Sequence, residues 1–250
     1  MKKLIFILGV VYFVTISTGC KKETAQVKYR IVKLTKTVST SPASDAEYIF
    51  KYNSTGKIDR INVNGSLDTF TFKYAYSSKL DSISKYKTSN GLFYEKREVL
   101  WTGNNVSSFS SSTLQYDSQN RLEKVIYLSG SFTRFDYSSD SLKSYYKPVA
   151  SSEYYEGSYI TDLVLLNPFK IINNENEDKT LSFALSGVTG NYNSISSKLI
   201  IYARGYNSDG SLYYESNYTP DGNTGGYPDK ITITSTVIPT VVLEFTYEAI

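Results

Sequence analysis

An aromatic residue, a polar turn, an apolar residue and a second apolar residue three places later recur along this chain at nearly fixed spacing. Tyr52, Ile58 and Ile61 are separated by 6 and 3 residues, as are Tyr74, Leu80 and Ile83, and Tyr116, Leu122 and Val125. Trp101, Val106 and Phe109, and Tyr137, Leu142 and Tyr145, keep steps of 5 and 3. Tyr206 and Leu212 keep the 6, but Glu215 stands where the last apolar residue belongs. Ahead of the anchor, aromatics fall on alternate residues: Tyr48, Phe50, Tyr52, then Phe70, Phe72, Tyr74. Period two places such side chains on one face of a strand. The turns are built of Asn, Asp, Ser and Gly, and Gly56 and Gly210 supply positive φ without a steric penalty. Each unit therefore reads as a β-hairpin. A step of three cannot keep both apolar residues on one face of a flat strand. A bulge near the turn, or a strand starting after the first of them, reconciles the two.

The hairpins predict an all-β fold: an antiparallel meander of repeated hairpins, ten to fourteen strands, one curled sheet forming an open or nearly closed barrel. Closure would protect edges that are otherwise an aggregation hazard in so tyrosine-rich a sheet. Val27 to Leu34 alternates well enough for a first strand, and Thr35 to Ala46 reads as a loop. One short helix is expected at Thr161 to Leu166, ended by Pro168. Lys230 to Ile250 gives a final hairpin. No linker interrupts the pattern after residue 46, so 47–250 reads as one domain.

The first residues are an address. Lys2 and Lys3 precede an apolar run, Leu4 to Ile16, and the small residues Ser17, Thr18 and Gly19 lead to Cys20. A run of 13 residues is too short to cross a bilayer, which takes about 20, and fits a signal peptide over residues 1–19. Residues 20–46 then hold Cys20, a polar tether and the first strand.

Composition excludes several function classes. The chain has no His, so neither Ser-His-Asp nor Cys-His chemistry nor His-ligated zinc is available. Its single Cys can form no internal disulfide. The 27 basic residues fall to 25 once Lys2 and Lys3 leave with the signal peptide, against 24 acidic ones, and no basic block offers a nucleic-acid footprint. No cofactor or metal is called for. The oxygen-rich run Asn173 to Asp178 lacks the spaced Asp/Gly pattern of a calcium loop and reads as a solvated turn.

Two family resemblances follow from these residues. Small residues ahead of Cys20 resemble the lipobox of bacterial lipoproteins, although Ser17 holds the place where that family prefers Leu, with Ile16 one further out. The resemblance implies lipidation of Cys20 and a stable membrane anchor, since several acyl chains hold where one is marginal. Lys21-Lys22-Glu23 resembles the surface-export signal of some Gram-negative lipoproteins. It implies an outer-membrane location, with the cell surface ahead of the periplasmic face. The hairpin figure, clearest in "YNSTGKIDRI" and "YDSQNRLEKV", resembles the YD-type repeat of RHS-like proteins from Tyr48 to about Tyr146 and again from Tyr202. With "NPF" at Asn167 to Phe169, "YPDKITI" at Tyr227 to Ile233 and "LEFTY" at Leu243 to Tyr247, it is closer to a group of secreted lipoproteins with degenerate repeats. That likeness implies a porin-like or open-barrel sheet and carries no activity with it.

Function is expected where the repeat fails, in Pro148 to Asp178 and Thr219 to Lys230. Tyrosines on the repeat register are explained by cross-strand packing, and Trp101, an anchor, reads as core. Tyr154, Tyr155, Tyr159, Tyr213 and Tyr214 lie off the register and are the candidate ligand-binding residues, with Glu153 and Glu156 as candidate acids beside them. The Asp81-Ser82 and Asp140-Ser141 pairs, each followed by an apolar residue, resemble a bacterial O-glycosylation sequon. Three readings follow: a lipid-anchored, non-enzymatic protein binding a protein or glycan partner; a carboxylate-based glycan hydrolase, which needs two acids meeting across the sugar; and a carrier of a small apolar ligand in a barrel lumen. The first is preferred.

Overall fold

The structure, a computed structural model, describes residues 28–65, 69–139, 141–166 and 198–250. Sixteen strands run in sequence order: β1 (Tyr29–Val38), β2 (Ala46–Tyr52), β3 (Ile58–Gly65), β4 (Thr69–Tyr76), β5 (Leu80–Lys87), β6 (Phe93–Thr102), β7 (Asn105–Phe109), β8 (Ser112–Tyr116), β9 (Leu122–Ile126), β10 (Phe132–Tyr137), β11 (Ser141–Lys147), β12 (Tyr154–Leu166), β13 (Lys198–Tyr206), β14 (Leu212–Asp221), β15 (Lys230–Ser235) and β16 (Val241–Ala249). Each pairs antiparallel with its neighbour in sequence, and β16 pairs with β1 to close the barrel. The expected all-β meander is thus present, with more strands than the ten to fourteen expected and with no edge left open. The expected signal peptide, Cys20 and Asn173 to Asp178 lie outside the described residues.

The helix expected at Thr161 to Leu166 is instead the second half of β12, paired with β13. Pairing with β13 at Thr161 and Leu166 holds extended backbone there, and β-branched Ile160, Thr161 and Val164 suit it. β1 likewise runs on to Val38, and a three-residue 3-10 turn, Pro42–Ser44, precedes β2.

The step of three is resolved by a bulge. Tyr52 stands opposite Ile58 while Lys51 stands opposite Arg60, so Asp59 is the extra residue, and both Ile58 and Ile61 are buried. The same offset occurs at Asp81, Ser107, Glu123 and Tyr213. Two units differ from the sequence pattern. Tyr76, not Tyr74, stands opposite Leu80, because that turn is shorter. In the Tyr137 unit no bulge intervenes, so Leu142 and Ser144 face inward and Tyr145 faces out, under the Arg134 guanidinium at 4.4 Å.

The anchors fasten each hairpin to the one before. A bulge interrupts the ladder, and an anchor ring from the next hairpin hydrogen-bonds the carbonyl beside it. Tyr52 donates to the Ile31 carbonyl (2.5 Å), Trp101 to Leu80 (2.8 Å), Tyr116 to Val106 (2.8 Å) and Tyr137 to Leu122 (2.6 Å). In three of these four a basic residue just before the apolar one covers the same ring. Arg30 lies 4.5 Å over Tyr52, Lys79 4.9 Å over Trp101 and Arg121 4.6 Å over Tyr137, and Lys57 lies 5.2 Å over Tyr76 in the same relation. Trp101 is accordingly half-buried at the barrel end rather than deep core. Tyr137→Phe keeps the ring and strands the Leu122 carbonyl, so it should cost about 1–3 kcal/mol in denaturant unfolding. Tyr213→Phe, at a ring 61 % exposed, should cost nothing measurable; equal costs for the two would contradict the fastening role.

Inward side chains, among them Ile31, Leu34, Ile61, Leu80 and Leu243, form one contiguous apolar cluster with near-zero exposure.

Strand order divides the loops between two ends. β1 starts and β16 finishes at the terminal end, which among the described residues also carries the turns 53–57, 77–79, 103–104, 117–121 and 138–139 and the loop 222–229. The distal end carries 39–45, 88–92, 110–111, 127–131, 148–153, 207–211 and 236–240.

Candidate functional site

A Gly inside a strand weakens it and marks a place where something approaches the backbone closely. Gly157 of β12 and Gly205 of β13 stand directly opposite each other, in a row that continues to Ser144 of β11 on one side and Tyr214 of β14 on the other. The row lies on the inner face, where Gly157, Gly205 and Ser144 are buried. Side-chain bulk is missing there, and two rings occupy the space. Tyr214 lies over Gly205, so that a Cβ on Gly205 would sit only 2.0 Å from the nearest ring carbon. Tyr159 reaches back over Gly157, its hydroxyl 2.7 Å from where a Gly157 Cβ would sit. The two tyrosines are hydrogen-bonded to each other, and burial raises the Tyr214 phenol above its ordinary pKa.

Toward the distal end the inner face turns aromatic. Thr133, Tyr146 and Tyr154 stand in register across β10, β11 and β12. The Tyr146 and Tyr154 rings meet edge to face at 5.7 Å, and Tyr127 meets Tyr146 at 6.5 Å. The hydroxyls of Tyr127 and Thr133 are hydrogen-bonded at 3.1 Å. Glu156, the extra residue in the β11–β12 register, is close enough to raise the phenol pKa of both Tyr154 and Tyr214, although burial is the larger cause at each. The cluster offers ring faces, phenolic donors and one carboxylate, all half-buried or buried. Such a surface can stack on and hydrogen-bond a polyhydroxylated ligand.

Three of the five candidate tyrosines, Tyr154, Tyr159 and Tyr214, thus converge with Glu156. Tyr213 precedes Tyr214 at the start of β14, with its ring 6.0 Å away, and is exposed at the distal end. Tyr155 pairs with Tyr145, on the outward register. Glu153 does not join Glu156: Arg134 holds it at 2.6 Å on the outer side and also pairs with Asp136. The two acids therefore do not face one another across a cleft, as the hydrolase reading requires. Of the sequon serines, Ser82 is 5 % exposed, which closes it to a glycosylating enzyme in the folded chain. Asp140 lies outside the described residues, and the Ser141 hydroxyl is hydrogen-bonded to Ser138 at 2.5 Å. Tyr127 and Tyr146 belong to the cluster but are not among the candidates read from the sequence. The signal that could have found it is the paired "EGSY" and "ARGY", each a Gly with a Tyr beside or two residues from it.

No family model matches the chain, and no curated protein matches it in sequence. Among solved structures it is similar to a porin-like protein from Bacteroides uniformis, at 17 % identity and a TM-score of 0.48, over 87 % of this chain and 96 % of that one. It is also similar to a porin-like protein from Bacteroides vulgatus, at 12 % identity and a TM-score of 0.42, over 88 % of this chain and 99 % of that one. Likeness at this level says nothing about activity.

Proposed function

We propose that the chain is a lipid-anchored, non-enzymatic barrel of the outer membrane, exposed at the cell surface, that binds a glycan through its distal tyrosine cluster. The observation that carries the binding is that Tyr154 and Tyr214 both lie near Glu156, with Tyr146 against Tyr154, Tyr127 against Tyr146 and Tyr159 hydrogen-bonded to Tyr214. Support for the anchor is the sequence alone: a charged start, a 13-residue apolar run and the only Cys directly after Ser17-Thr18-Gly19. Support for a non-enzymatic role is the lack of His and the separation of Glu153 from Glu156.

A glycan array probed with purified protein tests the binding. Tyr154→Ala should weaken any glycan signal about tenfold, since stacking and hydrogen bonds of this kind amount to about 1–2 kcal/mol. Cys20→Ser should shift the protein from the membrane to the soluble fraction. An array without signal, or one indifferent to Tyr154, would remove the glycan reading; a soluble wild type would remove the anchor.

A further inference from the structure

The two ends of the barrel differ in chemistry. Of the twelve large hydrophobic residues most exposed among those described, nine sit at the distal end. They are Leu92, Phe93 and Tyr94 beside the β5–β6 turn, Leu128 in the β9–β10 turn, Val149 in the β11–β12 turn, Leu212 and Tyr213 beside the β13–β14 turn, and Val237 and Ile238 in the β15–β16 turn. Leu128 is 84 % exposed and Val149 65 %. Among the described residues the distal loops contain no Lys or Arg; their charges are Asp45, Glu153 and Asp209. The described terminal-end turns are the reverse. They are polar and carry Lys57, Lys79, Asp117, Arg121 and Asp229, and the two Lys hold the neighbouring turns, Lys57 through the Ser78 carbonyl and Lys79 through the Gly103 carbonyl.

Exposed apolar residues scattered singly need no explanation, but nine at one end of a barrel do. They stand on separate loops, with Ser, Gly and Asn between them, so each is a short wedge rather than part of one groove for a peptide. Directly behind them come tyrosines, which favour the boundary between hydrocarbon and headgroups because one end of the ring is apolar and the other wet. Apolar tips backed by tyrosines and free of basic residues match a bilayer interface entered by hydrophobic contact rather than by attraction to anionic lipid.

We propose that the distal tips enter a lipid surface, so that the barrel stands on its membrane distal end down. This rests on the anchor reading, and the tether length permits it. Lys21 to Lys28 are eight residues and reach at most about 28 Å when extended. The nine residues of β16 span about 30 Å along the strand, and a tilt of about 40° shortens the barrel to about 23 Å. The chain from Cys20 can therefore run from the terminal end down the barrel wall and reach the membrane the tips touch. Tyr127, Tyr146 and Tyr154 then lie near headgroup level, where the glycan they meet is one carried on a lipid.

A fluorophore on an introduced thiol tests this in the full mature protein, since lipidation blocks the native one. Leu128→Cys, Ile238→Cys and, as control, Lys57→Cys are labelled with an environment-sensitive dye and reconstituted into phosphatidylcholine vesicles containing a shallow spin-labelled lipid. Dye at residues 128 and 238 should be blue-shifted and quenched at least twofold more than at 57, unchanged by anionic lipid or by salt raised from about 0.1 to 0.5 M. Equal, water-like spectra at all three positions overturn the proposal, as does tip burial by self-association in the absence of vesicles. Should the protein prove unlipidated, the same dyes on the Cys20→Ser chain added to preformed vesicles give the answer separately: tip quenching without an anchor keeps the tips and loses the tether, and no quenching loses both.

Discussion

Gly205→Val should lower stability by about 3 kcal/mol, toward the upper end of what overpacking a filled interior costs, and so depress the melting temperature by about 6–12 °C in a domain of this size. The argument is space, not backbone conformation. Gly205 is buried on the inner face, and any Cβ it gained would clash with the Tyr214 ring at 2.0 Å. The ring must swing away, losing its hydrogen bond to Tyr159 and leaving its own face exposed. A double-mutant cycle isolates this cause. With Tyr214→Ala as background the ring is gone, and the added cost of Val should drop to about 1 kcal/mol. The same cost in both backgrounds would mean that Gly205 is needed for something other than the ring. Because Tyr214 belongs to the proposed glycan site, Gly205→Val should also weaken glycan binding while leaving the membrane anchor intact.

Alkaline unfolding should begin well below the pH at which peptide chemistry fails. Burial pushes the Tyr48 phenol up to about 12, and burial also raises Tyr137, Tyr214 and Tyr247. The sign follows from proton counting. A tyrosine neutral in the folded state and ionised in the unfolded one binds more protons folded, so stability falls as pH rises. The contribution is complete below about pH 10, where both states are protonated, and is lost between pH 10 and the folded value. For Tyr48, at 8 % exposure, two units amount to about 3 kcal/mol. Melting temperature should therefore hold from pH 7 to 9 and fall steeply above 10. Tyr48→Phe should shift that fall upward, and a flat profile to pH 12 would contradict the burial of these phenols.

The hairpins could be read from the sequence because their signal is local. A ring, a turn with Gly or Asn, and two apolar residues three apart already encode the bulge at Asp59 and its counterparts. Closure could not be read, since the pairing of Tyr29–Val38 with Val241–Ala249 joins segments with no shared local pattern. The helix expected at Thr161 to Leu166 failed for a related reason: pairing with β13, far along the chain, decides its backbone, not the local sequence. For the candidate site, departure from the repeat marked Tyr154, Tyr159, Tyr214 and Glu156, which the fold brings near one another, but it could not separate them from Glu153, which Arg134 holds outside. Tyr127 and Tyr146 were missed because a tyrosine packed against a neighbour and a tyrosine lining a mouth look alike until the face is known.

The β1–β16 seam has a consequence for how the protein is made. A ribosome releases β1 first and β16 last, and every other strand finds its partner in the hairpin just completed. β1 alone gains its second neighbour only from the final residues of the chain. Throughout synthesis and any transport that follows, one edge stays open at β1 and a second travels with the newest strand. Chains cut short anywhere before Val241 never lose either edge. Premature stop codons late in the reading frame should thus yield insoluble chains rather than shorter soluble barrels, and a mutation in the last strand should affect yield as severely as one in the first.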